Sequence, residues 1–207
     1  MSARPGTVRP GGRTARVRTA VLRAAGDILA EHGFAHLDLA DVARRAGVGK
    51  TTVYRRWGSV TGLVTDLLAE LAHDAAPHRE TGSLPGDLRA YALLVQREAA
   101  DARQGALLRA VVAAAPCDGR TAAALRRFFE VRVEEWVPCV EQGVARGELP
   151  AGTDAAAVVR AVSAPLHQEL LTTGVAPAPH AAECAARAAY AAAVAGAYAG
   201  AAPVTGR

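Results

Sequence analysis

Apolar residues recur every three to four positions along most of the chain, which is the spacing of one face of an α-helix. The first such stripe consists of Val17, Val21, Ala24, Ile28 and Leu29. It predicts a helix over about 14–32 that ends at Gly33, because glycine readily adopts the left-handed conformation of a helix C-cap. Shorter stripes predict further helices over 39–46, over 50–56, and from Ser59 toward Pro77.

The connection between the second and third predicted helices is short and rich in glycine. Only residues 47–49, Gly-Val-Gly, separate them. Asp38 stands where its side chain can cap the second helix. Val53 and Trp57 lie four residues apart, so they share one face of the third helix and are expected to point into the core. The pattern predicts a helix-turn-helix unit.

The rest of the chain keeps the helical period over longer stretches. Proline and glycine divide it into predicted helices of about 84–101, 103–115, 119–147, 154–173 and 178–200. Pro138 and Pro165 fall inside two of these helices, and we expect kinks there because the apolar period resumes after each proline. The sequence therefore predicts an all-α protein with about nine helices.

The last predicted helix carries a face of small residues. These are Ala182, Ala185, Ala186, Ala189, Ala193 and Gly196. Small side chains let another helix approach closely, so the face predicts either packing within the chain or contact with a second copy. We expect a homodimer that uses the last two helices, with packing within the chain as the alternative.

Composition supports the helices and separates a basic part of the chain. Hydrophobic residues make up 51% of the sequence and aromatic residues only 4%, and the most frequent residue is alanine, a strong helix former and a weak strand former. The net charge is +4, yet the first 60 residues hold 11 Lys and Arg against 4 Asp and Glu. Binding of positively charged side chains to a polyanion such as DNA is favourable because it releases counterions. This uneven distribution of charge therefore predicts a nucleic-acid-binding module on a nearly neutral body.

The residues around the glycine turn form a recognisable set. It comprises Gly33-Phe34, Val42-Ala43, Ala46-Gly47-Val48, Val53-Tyr54, Trp57 and Leu63. In this spacing, the segment 34–64 resembles the DNA-binding domain of TetR-family transcriptional regulators. Two positions depart from the family pattern: Asp38 stands where Thr or Ser is common, and Val60 where Lys is common, and each departure removes an expected phosphate contact.

The resemblance implies a domain organisation and a function. Residues 14–58 would form the helix-turn-helix domain, 1–13 a flexible basic arm, and 59–207 a helical ligand-binding and dimerisation domain. We expect a repressor that binds a palindromic operator in double-stranded DNA as a homodimer and is released by a small-molecule effector.

A short helix in the major groove must present donors to phosphates and base edges. The predicted DNA-binding residues are Arg44, Lys50, Thr51, Thr52, Tyr54, Arg55 and Arg56. We expect Arg55 or Arg56 to bind guanine through two hydrogen bonds, and Thr51 or Thr52 to contact a thymine methyl group or a phosphate. Lys50 and Tyr54 are expected to contact phosphates. Arg44 and Arg45 add charge near the turn, unless they simply form a solvated surface.

The resemblance also implies an effector pocket between helices of the body. The predicted ligand-binding residues combine apolar bulk with a few polar groups and are Phe128, Trp136, His167 and Gln168, with Phe129 and Glu169 beside them. Packing in the core is the alternative for the aromatic residues, and an exposed or hydrogen-bonded histidine is the alternative for His167. No cofactor is expected.

The cysteines leave one alternative function open. Cys117, Cys139 and Cys184 are an odd number without CxxC spacing, which argues against a disulfide framework and a zinc site, and no other metal site is expected. A redox-responsive regulator acting through Cys117 or Cys139 remains an alternative. A nonspecific DNA-coating protein that uses the basic arm is a second one.

Other classes are excluded from the sequence. Residues 47–52 resemble the end of a P-loop, but Arg44 occupies the place of its first glycine and a helix precedes the segment, so an NTPase is not expected. No catalytic set of residues stands out, and we expect no enzyme. The sequence has neither a run of apolar residues that predicts a membrane span nor the apolar core of a secretory signal, so a cytoplasmic protein is expected.

Overall fold

The computed structural model describes residues 11–73 and 81–199. Within these ranges the chain forms nine α-helices and a single β-bridge, between Thr153 and Ala199. The helices are α1 (Gly11–His32), α2 (Leu39–Arg45), α3 (Lys50–Trp57), α4 (Val60–His73), α5 (Leu84–Ala100), α6 (Ala102–Ala114), α7 (Gly119–Ala145), α8 (Ala155–Thr173) and α9 (Pro179–Val194). The prediction of an all-α fold is confirmed. None of these helices has the length and apolarity that crossing a membrane requires.

Glycines and one acidic cap set the angles between the first helices. Gly33 has a φ of 79°, and its amide donates to the Leu29 carbonyl at 3.0 Å. Asp38 caps α2 by accepting hydrogen bonds from the Ala40 amide at 2.7 Å and the Asp41 amide at 3.2 Å. Gly47 has a φ of 63°, a conformation that costs glycine least. These local features form the turn between α2 and α3 that the sequence predicts.

The first hydrophobic core joins α1–α4 to the rest of the protein. Its buried residues include Val21 of α1, Val53 of α3 and Leu67 of α4, together with Leu107 and Val111 of α6. At the same junction, Arg103 of α6 donates from Nε to Asp27 of α1 at 2.5 Å. The helix-turn-helix unit is therefore packed directly on the body through α1 and α6.

The second core lies between α5, α7, α8 and α9. The small face of α9 is buried there, with Ala182 and Ala193 at 0% exposure, against apolar residues of α5 and α8 such as Leu88 and Val162. Gln96 of α5 also donates to the Pro177 carbonyl at 3.1 Å, which ties α5 to the segment before α9. Of the two interpretations of the alanine face, packing within the chain is the one that the structure supports.

Two helix boundaries differ from the prediction. Helix α1 begins at Gly11 instead of about 14, since glycine costs little in a first turn whose amides need no helical partner. Helix α9 ends at Val194, not near 200, because Gly196 adopts a φ of 79° and the Ala197 amide closes the helix on the Ala192 carbonyl at 2.9 Å. Residues 1–10 of the predicted basic arm, residues 74–80 after α4, and residues 200–207 lie outside the described residues.

Both internal prolines lie within helices, as predicted. Pro138 is inside α7 and Pro165 is inside α8. Each removes one backbone donor from its helix, and the kinks expected at these positions stay a prediction.

Candidate nucleic-acid interface and internal cavity

Helix α3 presents a polar, mostly exposed face beside the glycine turn. Val53 and Trp57 are buried at 0% and 9% exposure, which confirms that this pair points inward. Of the predicted DNA-binding residues on α3, Thr52 is half-buried and the others are exposed: Lys50, Thr51, Tyr54, Arg55 and Arg56. The structure thus brings these six side chains together on one short helix.

The positive charges near the turn differ in how far they are neutralised. Arg44 lies 2.8 Å from Asp41, and Arg45 forms an ion pair with Glu31. In the described part of the chain, Lys50 and Arg55 form no ion pair, and the Arg56 guanidinium lies 5.2 Å from the centre of the Trp57 ring. Among the charges near the turn, the cations that remain available to a polyanion are therefore those on α3.

A polar network fixes the end of α3 to α4 and α1. Trp57 Nε1 donates to Asp66 Oδ2 of α4 at 2.9 Å, and Arg18 of α1 donates to Asp66 Oδ1 at 2.6 Å and to Glu70 at 2.6 Å. Partial burial alone would raise the pKa of Asp66, but the hydrogen bonds from Arg18 and Trp57 hold it below its usual value. Asp66 consequently links three of the first four helices through one carboxylate.

An internal cavity of about 60 Å³ lies below α4, between α5, α6, α7 and α8. Its apolar wall is formed by Leu68 and Leu71 of α4, Val95, Leu107, Leu108 and Phe128. Its remaining wall includes Tyr91, Glu98, Phe129, Arg132 and His167. Because α4 contributes to this wall and also holds Asp66, the cavity and the α3 network share one helix.

The cavity contains a buried ion pair. The Arg132 side chain is only 6% exposed, and its Nη2 donates to both oxygens of Glu98, at 2.8 and 2.7 Å. Burial raises the pKa of Glu98 despite the nearby guanidinium. Burial and Arg132 together lower the pKa of His167 to about 4, so the imidazole is neutral near pH 7.

An open groove of about 840 Å³ adjoins the cavity between α7 and α8. Tyr91, Phe129, Arg132 and His167 line both spaces. The Phe129 and His167 rings pack with centroids 5.1 Å apart. A thin wall of side chains therefore separates the cavity from the groove.

The predicted ligand-binding residues occupy different places. Phe128 and His167 line the cavity, whereas Gln168 is exposed and lines only the groove. Trp136 is 4% exposed in the second core and packs on Tyr91, with ring centroids 4.8 Å apart. The structure thus brings two of the four predicted residues to the cavity.

Sequence reasoning missed ten of the thirteen residues that line the cavity, and three of these matter most for its chemistry: Tyr91, Glu98 and Arg132. No motif marks them. The available signal was a charge in an apolar stripe, since Glu98 lies three residues after Val95 and Arg132 lies four before Trp136.

The cysteines lie apart from both features. Cys139 is buried and donates to the Trp136 carbonyl at 3.0 Å, and burial raises the pKa of its thiol to about 12, which keeps it in the unreactive protonated form. Cys117 is exposed in the short turn between α6 and α7. The structure therefore argues against Cys139 as a redox sensor.

Comparisons with known proteins cover both parts of the chain. The family described as "Bacterial regulatory proteins, tetR family" matches residues 21–67, and "Tetracyclin repressor-like, C-terminal domain" matches residues 78–189. The HTH-type transcriptional regulator YdeS of Bacillus subtilis is 31% identical over 75% of this chain and 78% of its own length. AqdR of Rhodococcus erythropolis, also an HTH-type transcriptional regulator, is 33% identical over 75% of this chain and 74% of its own length.

A solved structure has the same fold. The TetR family transcription regulator SCO0332 superposes with a TM-score of 0.69 and 24% identity, over 85% of this chain and 97% of that one. Two family matches and two relatives above 30% identity agree with the helix-turn-helix geometry. The chain belongs to the TetR family of transcriptional regulators.

Proposed function

We propose that this regulator binds a palindromic operator as a homodimer and that a small molecule bound in the internal cavity releases it from DNA. The observation that carries the proposal is the double role of α4. Leu68 and Leu71 line the cavity, while Asp66 on the same helix holds Trp57 at the end of α3. A ligand that displaces α4 also displaces the exposed face of α3.

On DNA, α3 occupies the major groove, and its side chains contact either bases or phosphates. Arg55 or Arg56 binds guanine, Thr51 or Thr52 contacts a thymine methyl group or a phosphate, and the remaining polar groups of α3 hold phosphates. Arg44 contributes less than an unpaired arginine because Asp41 lies 2.8 Å from it. Residues 14–58 are the proposed DNA-binding domain, preceded by the basic arm over 1–13 and followed by the regulatory domain over 59–207.

The proposed dimer interface lies on the outer faces of α8 and α9. Four large hydrophobic residues are classed as exposed among the described residues, and three of them lie on α8, on α9 or between them: Leu171 at 38%, Val175 at 66% and Val194 at 48%. A contiguous exposed apolar patch marks a protein contact, so these three residues together form the proposed contact surface. The buried alanine face of α9 contributes no evidence for the dimer.

The test starts from genomic DNA of the source organism. Fragments that the purified protein selects are sequenced, and a recovered site is footprinted with the wild-type protein, with Lys50→Ala, and with Arg97→Ala as a control that removes one exposed charge far from α3. The expected result is a footprint with two symmetric half-sites, weakened by Lys50→Ala and unchanged by Arg97→Ala. A footprint without symmetry or sequence preference contradicts the operator proposal and favours a DNA-coating protein.

A further inference from the structure

In the cavity wall, Arg132 has more hydrogen-bond donors than its protein partner uses. Arg132 uses a single nitrogen, Nη2, to hold both oxygens of Glu98. Within the part of the chain that the structure describes, its Nε and Nη1 donate to no protein group, although the side chain is only 6% exposed. Both nitrogens keep some accessible surface, and Arg132 lines the cavity and the groove, so they can donate to an acceptor on a bound ligand.

The charges of the site limit what that acceptor can be. Arg132 and Glu98 compensate each other, and the imidazole of His167 carries no charge near pH 7. A bound anion would face Glu98 and a bound cation would face Arg132, and either would leave one net charge buried among leucine and phenylalanine side chains. Burying an uncompensated charge is costly, so a neutral acceptor fits this site best.

The shape of the site indicates the rest of the ligand. The rings of Phe128 and Phe129 lie 5.2 Å apart in an edge-to-face arrangement, and Tyr91 completes an aromatic wall. The cavity of about 60 Å³ accommodates a polar head group as it stands. A ring the size of benzene needs about 150 Å³. The adjoining α7–α8 groove, which shares Phe129 and His167 with the cavity, offers that additional space.

We infer that the effector is a neutral aromatic carbonyl compound whose oxygen accepts hydrogen bonds from Arg132 and whose ring lies against Phe128 and Phe129. This inference rests on the proposed effector role of the cavity. The Glu98–Arg132 pair is then the element that selects the ligand: it supplies donors to the carbonyl and, being internally neutral, rejects ions.

Four probes of nearly equal size test the inference on the full-length protein. Acetophenone is the neutral carbonyl compound, ethylbenzene lacks the acceptor, benzoate is the anion and benzylamine the cation. Dissociation constants are measured by ligand-observed NMR titration. Acetophenone is expected to bind at least about tenfold more tightly than ethylbenzene, because a hydrogen bond to a charged donor is worth that much. Benzoate and benzylamine are expected to bind at least about tenfold more weakly than acetophenone.

Two variants tie the selectivity to the ion pair. Glu98→Gln leaves Arg132 without its counter-ion, so benzoate should overtake acetophenone in affinity. The double variant Glu98→Met/Arg132→Met replaces the pair with apolar side chains, and should bind acetophenone and ethylbenzene about equally. Glu141→Gln, which neutralises an exposed carboxylate on α7, is the control and should keep the wild-type order. If Glu98→Gln is unfolded by circular dichroism, the double variant decides the question.

Each outcome separates this inference from the proposed function. Failure of acetophenone to bind, equal binding of all four probes, or preference of the wild-type protein for an ion overturns the inference, as does an unchanged order in the folded variants. If the same protein still protects a symmetric operator, the proposed function stands and only the ligand class is wrong. If it protects no operator, the proposed function fails whatever order the probes show.

Discussion

The hydrogen bond between Trp57 and Asp66 is the contact by which α4 holds the end of the recognition helix. Trp57 is 9% exposed, and its Nε1 donates to Asp66 Oδ2 at 2.9 Å, while Arg18 donates to both carboxylate oxygens, to Oδ2 at 3.1 Å and to Oδ1 at 2.6 Å. We predict that a double-mutant cycle with Trp57→Phe and Asp66→Ala gives a coupling free energy of about 1–2 kcal/mol. A hydrogen bond to a charged acceptor is worth about 1.5–3 kcal/mol, and the 29% exposure of the Asp66 side chain reduces that value.

The assay is urea unfolding followed by circular dichroism, with the free energy of unfolding extrapolated for each variant. Glu70→Gln provides a matched control, because Glu70 binds Arg18 but makes no hydrogen bond to Trp57. A cycle of Trp57→Phe with Glu70→Gln should give coupling below about 0.5 kcal/mol. Equal coupling in both cycles, or none in either, would refute the view that Asp66 holds α3 through Trp57. Operator affinity of Asp66→Ala, measured at fixed salt, should fall even where the fold is native.

Three further predictions follow from the interface, the cavity and the outer helices. Arg55→Ala should relax base preference at one position per half-site by about 1–3 kcal/mol, whereas Tyr54→Phe should weaken binding to every sequence. Affinities for a panel of single-base operator variants distinguish the two effects. A uniform loss of affinity for Arg55→Ala would show that Arg55 contacts a phosphate instead of a base. His167→Phe should flatten the pH dependence of stability, because the unfolded histidine takes up a proton near pH 6.5 and the folded one only near about pH 4. As the pH falls from 7 to 5, the free energy of unfolding, measured with urea, should therefore fall by about 2 kcal/mol more for the wild-type protein than for the variant. Equal pH dependence in the two proteins would contradict a buried neutral imidazole. Leu171→Glu should shift the protein from dimer to monomer in sedimentation velocity, and an unchanged dimer would place the interface elsewhere.

Local sequence rules predicted the helix-turn-helix region well because its geometry depends on neighbouring residues. Asp38 accepts hydrogen bonds from amides two and three residues away, and Gly47 takes a backbone conformation that other residues avoid. Val53 and Trp57 needed only the helical period to be assigned to the core. Each of these signals lies within about four residues of the feature it determines.

The alanine face shows where such rules stop. Small residues at helical spacing indicate close approach of another helix, but the spacing does not say which helix. In the fold, Ala182 and Ala193 pack within the protomer, so the partner is α5 and α8 of the same chain. The end of α9 is a second example. The helical period alone placed Gly196 inside the helix, whereas the positive φ of Gly196 ends the helix before that residue.

The cavity was the least predictable part because it is assembled from residues far apart in sequence. Glu98 and Arg132 lie on separate helices, and their pairing appears only when α5 packs on α7. Each interrupts an apolar stripe, and a lone charge in a stripe is ordinarily a solvated residue at its edge. Two opposite charges at inward positions of two helices that must pack together are a different signal, since each would be costly to bury without the other. Taken as a pair, the two charges indicate a buried polar site, and in this protein the site that they form is the cavity beneath α4.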